Sequence, residues 1–163
     1  MNVHRFTHAY AVRVSWTGAA AGATRSYAAY SREHEIAMEG KPAIRASSDP
    51  AFRGDAALHN PEQLLVAALA SCHMLSYLAL CARERIAVVG YDDDALGRME
   101  ERVGAGRFTE VVLRPRVVVD DERVLRAHQL HERAHEECFI ANSVNFPVRC
   151  EAEIVRYRAE ARP

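Results

Sequence analysis

From His8 to Trp16 (HAYAVRVSW) polar and apolar residues alternate, the period of a strand with one covered face. Small residues from Gly18 to Gly22 then predict a turn. Thr24 to Tyr30 and Glu33 to Met38 read as further short strands. Glu39-Gly40-Lys41-Pro42 turns the chain into another short strand, so the first third is expected to be a β-meander. Ser47 to His59 (SSDPAFRGDAALH) concentrates Ser, Asp, Pro and Gly and is expected to be a loop.

The pattern changes at Asn60-Pro61-Glu62-Gln63. Asn60 is suited to cap a helix, Pro61 to open it, and Gln63 to bond back to the cap. The run that follows, Leu64 to Ala82, carries no charge and is long enough to span a bilayer. Ser71, Cys72, His73 and Ser76 sit at its middle, where lipid disfavours them. A core helix ending near Arg85 is therefore expected, with no membrane partner. Ile86 to Val103 predicts one strand with the acidic run Asp92-Asp93-Asp94 near its start, a charge run expected to be solvated. Gly104-Ala105-Gly106 reads as a tight turn, and Phe108 to Val119 as a strand in which Pro115 marks an edge or bulge. Glu122 to Cys138 is helical by pattern, and Arg149 to Tyr157 is a closing strand. The order βββ, helix, ββ, helix, β indicates a single α+β domain over residues 1–163, with an antiparallel sheet system packed on helices.

Composition adds exclusions. With 49% hydrophobic and 26% charged residues and a formal net charge of −1, nothing directs the chain to nucleic acid. No apolar leader precedes the first strand, so a cytoplasmic location is expected. In a reducing compartment the four cysteines are not expected to be structural disulfides. Burial as small hydrophobes accounts for Cys81 and Cys150. For Cys72, at the middle of the apolar helix, and Cys138, near the end of the second, packing and redox chemistry both remain open on spacing alone. A metal site is a third reading. His128, His131, His135 and Cys138 share one helical stripe, but it is about 15 Å long, too long for one ion to use all four. A His-rich amphipathic face is the simpler account.

The segment from Asn60-Pro61-Glu62-Gln63-Leu64-Leu65 through Ala70-Ser71-Cys72-His73 resembles the OsmC/Ohr family of osmotically inducible and organic hydroperoxide resistance proteins. That family opens a helix with Asn-Pro-Glu-x-Leu and places a cysteine ten residues after the glutamate, as Glu62 and Cys72 are placed here. Its second cysteine follows about 66 residues on, and Cys138 is 66 residues after Cys72, within the similar segment Cys138-Phe139-Ile140-Ala141-Asn142-Ser143-Val144.

The resemblance implies an intertwined homodimer with antiparallel sheets wrapped around central helices. It also implies a thiol peroxidase acting on small hydroperoxides, without a cofactor or metal. Cys72 would attack, Cys138 would resolve the sulfenic acid as a disulfide, and an external dithiol would regenerate the pair. An arginine beside the thiolate and a glutamate holding it complete the family's site. Glu62 matches the glutamate; Arg53 is the first choice for the arginine and Arg25 the second. Phe52, Leu65, His73, Met74 and Phe139 are expected near substrate. His73 departs from the aromatic or apolar residue many relatives carry there, and a core role suits it as well. On a continuous helix Glu62 and Cys72 of one chain are about 15 Å apart, so an active site shared across the dimer interface is expected. Redox sensing or ligand binding without turnover, and metal binding through Cys72, Cys138 and the His128/His131/His135 stripe, are the competing readings.

Overall fold

The computed structural model describes residues 6–103, 105–120 and 122–157. Internal contacts divide the chain into two units, Met1–Leu64 and Leu65–Pro163.

The first unit carries a three-stranded antiparallel sheet in the order β1 (Arg13–Trp16), β2 (His34–Ala37), β3 (Ile44–Ala46). The strand expected over Thr24–Tyr30 is absent: the segment folds into bends and turns. Arg32 explains this, because its guanidinium donates to the carbonyls of Tyr27 and Tyr30 and lies over both rings. Those carbonyls are then unavailable to a ladder. The loop from Ser47 to His59 is organised by Asp49, whose side chain accepts from the Ala51 amide at 2.8 Å and from Asn60 Nδ2 at 3.3 Å. It contains one 3-10 turn, Pro50–Phe52. Arg53 follows in the left-handed region at φ 66, and a Cβ on Gly54 would overlap the Ser48 carbonyl.

Helix α1 (Pro61–Arg83) starts as its sequence predicts. The Gln63 amide donates to Asn60 Oδ1 at 2.8 Å, and Gln63 Oε1 accepts from the Asn60 amide at 3.4 Å, a reciprocal capping box. It stops in a Schellman arrangement: Ile86 N–H reaches the Cys81 carbonyl, Arg85 N–H reaches the Ala82 carbonyl, and Arg85 adopts φ 58. Arg123 then donates to the carbonyls of Glu84 and Arg85. By length and composition α1 could cross a membrane.

In the second unit the predicted strands subdivide. Ile86–Val103 holds two strands, β4 (Val88–Asp93) and β5 (Leu96–Arg102); Phe108–Val119 becomes β6 (Ala105–Leu113) and β7 (Pro115–Val119). Ala105 and Gly106 open β6 instead of turning, and Gly104 lies outside the described residues. Helix α2 (Val124–Glu136) ends before Cys138, and the closing strand is two, β8 (Val148–Cys150) and β9 (Glu153–Arg156). These strands form two sheets, ordered β4-β7-β9 and β5-β6-β8. Neither is wholly antiparallel as expected, because β6·β8 and β7·β9 pair in parallel. The pairs β4/β5, β6/β7 and β8/β9 all change sheet at one level, at Asp94-Ala95, Arg114 and Glu151-Ala152. Asp93 secures that bend: its Oδ1 accepts the Arg114 amide at 2.7 Å. The acidic run is thus not simply solvated, since Asp93 Oδ2 is buried.

Two apolar clusters pack this unit. Tyr77, Leu80 and Cys81 of α1 meet Val117 and Val119 of β7 and Ala127, Leu130 and Ala134 of α2. Leu69 of α1 meets Val111 and Leu113 of β6. Each fully buried leucine contributes about 1.5–3 kcal/mol. The helices and α+β class are as the sequence indicates.

Gly54→Ala should destabilise the first unit by about 1–3 kcal/mol, because the Ser48 carbonyl must move to admit the methyl group. Urea unfolding checks this, and an unchanged midpoint would show the loop to be loose.

Candidate functional site

Cys72 projects from the margin of the buried α1 face and is half-buried; Cys138 is buried just past α2. The segment carrying Cys138 folds tightly. Asn142 Nδ2 donates to the Glu136 carbonyl at 2.9 Å, the Asn142 amide donates to the Cys138 carbonyl at 3.0 Å, and Ser143 Oγ donates to the Phe139 carbonyl at 2.7 Å. The two thiols meet. Burial pushes the Cys138 thiol above its ordinary pKa, the adjoining Cys72 thiol adds to this, and the amides of Ala141 and Ile140 pull the other way. Cys138 is therefore held as a neutral thiol beside Cys72, ready to give up its proton only when a bond forms.

The remaining expected residues are distributed as follows. Phe52, Leu65 and Met74 are half-buried, while Phe139, next to Cys138, is 79% exposed. Arg25 and Arg53 are exposed, and neither guanidinium has an ion-pair partner among the described residues. Glu62 Oε2 is buried without a hydrogen-bond partner. Arg53 and Glu62 are thus not paired within the chain.

His73 lies elsewhere. It is fully buried, in phase with Leu69 and Tyr77 on the inner face of α1. Its Nε2 shares a 2.9 Å hydrogen bond with Nδ1 of His131 on α2. The rings are nearly parallel, with centroids 5.3 Å apart, and Tyr77 stacks on His131 at 3.9 Å. Cys150 Sγ, at the end of β8, completes the group at 3.6 Å from His73 Nε2 and 3.8 Å from His131 Nδ1. Burial lowers His73 to about 4, assisted by the charge of His135, and lowers His131 to about 3, assisted by His73 and His128. Burial also pushes Cys150 to about 12, with Asp93 and Glu151 adding to it. Both imidazoles are therefore neutral.

The stripe expected as an alternative metal set does not close. His128 is exposed and His135 half-buried. Among the described residues the donors that converge are His73, His131 and Cys150, not Cys72 or Cys138. Cys150, expected from sequence to be a small packing residue, stands instead among these donors. The available signal was the phase of His73 with Leu69 and Tyr77, and of His131 with Ala127 and Ala134.

Residues 54–153 match the family model described as OsmC-like protein. The chain belongs to the OsmC-like family. An OsmC-like protein of unknown function from Vibrio cholerae is 35% identical and superposes with a TM-score of 0.82, covering 90% of this chain and 100% of that one. An organic hydroperoxide resistance protein from Legionella pneumophila shares the fold at 14% identity, with a TM-score of 0.65 over 92% of this chain and 98% of its own. A second Vibrio cholerae structure, of a putative organic hydroperoxide resistance protein with captopril in one of its active sites, is 17% identical. Its TM-score is 0.63, over 94% of this chain and 95% of its own. The uncharacterized protein YmaD of Bacillus subtilis is 24% identical over 98 residues, a match spanning 58% of this OsmC-like chain and 65% of YmaD.

Mild oxidation with diamide should join Cys72 to Cys138 and leave Cys81 and Cys150 reduced, as read by peptide mapping. A Cys72–Cys150 bond would contradict the arrangement described.

Proposed function

We propose that this OsmC-like protein is a thiol peroxidase that reduces organic hydroperoxides, and hydrogen peroxide less specifically, in the cytoplasm. The observation that carries the reading is the meeting of Cys72 and Cys138, from positions 66 residues apart, with the resolving thiol buried and neutral. In the proposed cycle the Cys72 thiolate attacks the terminal oxygen of the hydroperoxide. The O–O bond breaks, the alkoxide leaves and takes a proton to become an alcohol, and Cys72 becomes a sulfenic acid. Cys138 then attacks that sulfur, water leaves, and a disulfide forms. An external dithiol, such as a dihydrolipoyl group, restores both thiols by exchange. The half-buried Cys72 is open enough to meet a small peroxide, and the exposed Phe139 beside Cys138 offers an apolar contact for its organic group.

The attacking thiolate requires a cation to offset the cost of charge in an apolar setting. Arg53 is proposed for that role, with Glu62 orienting it and Arg25 as the second choice. Among the described residues Arg53 has no ion-pair partner and Glu62 Oε2 no hydrogen-bond partner, which favours completion of the pair across a homodimer. The exposed α1 stripe Ala67, Ser71, Leu75 and Ala79, with Leu75 63% exposed, supplies an apolar surface for such an assembly.

Steady-state consumption of cumene hydroperoxide with dihydrolipoamide tests the proposal. The wild type should turn over, Cys72→Ser should fall to the uncatalysed level, and Arg53→Ala should lose about 10²–10³-fold in kcat/KM. Full turnover by Cys72→Ser would refute the mechanism. Sedimentation should give a dimer, and an active monomer would remove the shared site.

A further inference from the structure

The cluster of His73, His131 and Cys150 takes no part in that cycle. It draws on α1, α2 and β8, and its three donor atoms lie within 4.8 Å of one another. Polar groups are placed inside an apolar core at a cost unless they find partners. Here one hydrogen bond joins the two rings, while His73 Nδ1, His131 Nε2, Tyr91 Oη and Asp93 Oδ2 are buried without hydrogen-bond partners. Asp93 belongs to the same neighbourhood: it lies opposite Pro115 and its Oδ1 takes the Arg114 amide, while Cys150 lies opposite Leu113 on the same stretch of chain.

The two sulfur–nitrogen separations match those of ligands around one tetrahedral ion, and the nitrogen–nitrogen separation is about 0.5 Å short of it. Zinc held by imidazole nitrogen at about 2.0–2.1 Å and thiolate at about 2.3 Å sets N···S edges of about 3.6 Å and an N···N edge of about 3.4 Å. The observed N···S distances are 3.6 and 3.8 Å, and the N···N distance is 2.9 Å. Two imidazoles on such an ion have ring centroids about 5.2 Å apart, and these lie 5.3 Å apart. The sulfur edges and ring positions are in place. A small swing of the rings, opening the His–His hydrogen bond by about 0.5 Å, completes the cage.

We propose that His73, His131 and Cys150 bind a zinc ion, with a water in the fourth position and the Asp93 carboxylate as the nearby counter-charge. Two imidazoles and a thiolate select a borderline ion over calcium or magnesium, which take oxygen ligands. One thiolate and one carboxylate cancel the two charges of the ion, so the buried site is neutral overall, as a low-dielectric interior requires. Cys72 and Cys138 are not ligands, and the site stands whether or not the peroxidase reading holds.

Full-length protein, stripped with chelator under reducing conditions and titrated with cobalt(II), tests this. The expected result is one equivalent bound, with the visible absorption of a tetrahedral ion and a thiolate-to-metal charge-transfer band, both removed by zinc. Cys150→Ser should abolish the charge-transfer band, and the Cys72→Ser/Cys138→Ser double variant should keep it. In the wild type, zinc should slow alkylation of Cys150 about tenfold or more. That assay is run at a urea concentration where the metal-free protein reacts, and is mapped by mass spectrometry, so it does not depend on a variant folding. Absence of both the band and the protection, or loss of the band in the Cys72/Cys138 double variant, would overturn the site.

Discussion

A long apolar helix must hide one face, and the face α1 hides runs through Leu69, His73, Tyr77, Leu80 and Cys81. These positions recur at helical spacing, so each points at the same packing surface. Four suit an apolar core and the fifth is a histidine. Its ring cannot turn to water without leaving the stripe, so its nitrogens must find partners inside. His131 does the same from α2, where it shares a face with Ala127, Leu130 and Ala134. The pair is thereby forced together, and with it the region where the two apolar clusters adjoin becomes polar. Cys72, one residue earlier and about 100° around the helix, escapes to the margin of that face and meets Cys138. The single residue step between Cys72 and His73 thus separates a thiol contact at the margin of the face from the donor cluster beneath it.

The sheets supply the third donor through their bend. Each of the three strand pairs crosses from one sheet to the other at the level of Arg114. Pro115 cannot donate to a ladder, and the Arg114 amide is left between sheets, so Asp93 Oδ1 takes it. The neighbouring Glu151 amide reaches the Leu113 carbonyl at 2.8 Å, and Arg114 pairs with Glu151 at 3.2 Å on the surface. Cys150, the last residue of β8, is fixed at this crossing beside Asp93. The bend at which the strands change sheet therefore places a thiol beside the histidine pair and a carboxylate close to it.

How much of this the sequence revealed depends on whether a feature is local. The start of α1 was legible because Asn60, Pro61 and Gln63 act within one turn. The Cys72 and Cys138 pairing was legible through a resemblance in spacing, which encodes a tertiary contact that periodicity cannot. The strand pattern over Thr24–Tyr30 is overridden by Arg32, a few residues on, which gathers the carbonyls a strand needs. The continuous strands over 86–103, 108–119 and 149–157 were each broken by the shared bend, a property of pairing between segments and not of any one of them. The acidic run looks solvated in sequence because nothing local says that Asp93 must answer an amide twenty-one residues later. Cys150 looks like packing for the same reason: its surroundings are two histidines brought in by other elements.

The two thiol environments make opposite demands, and the fold meets both within one core. In the proposed cycle the thiol that reduces peroxide must be reachable and must have its partner adjacent, and Cys72 is half-buried with Cys138 against it. If that cycle runs, any other thiol of the chain survives oxidant only by being unreachable or occupied. Sulfenic acid formation follows thiolate character and exposure, and Cys81 satisfies the first condition by being buried. Cys150 is only partly enclosed, and packing alone does not protect it as fully. Its high thiol pKa, set mainly by burial and reinforced by Asp93, suppresses the reactive thiolate. Coordination to an ion would serve the same end by occupying the sulfur lone pair. The proposed zinc site therefore needs no catalytic role to be useful. It would fasten α1, α2 and the sheet bend at one point and keep a third sulfur out of the proposed exchange between Cys72 and Cys138.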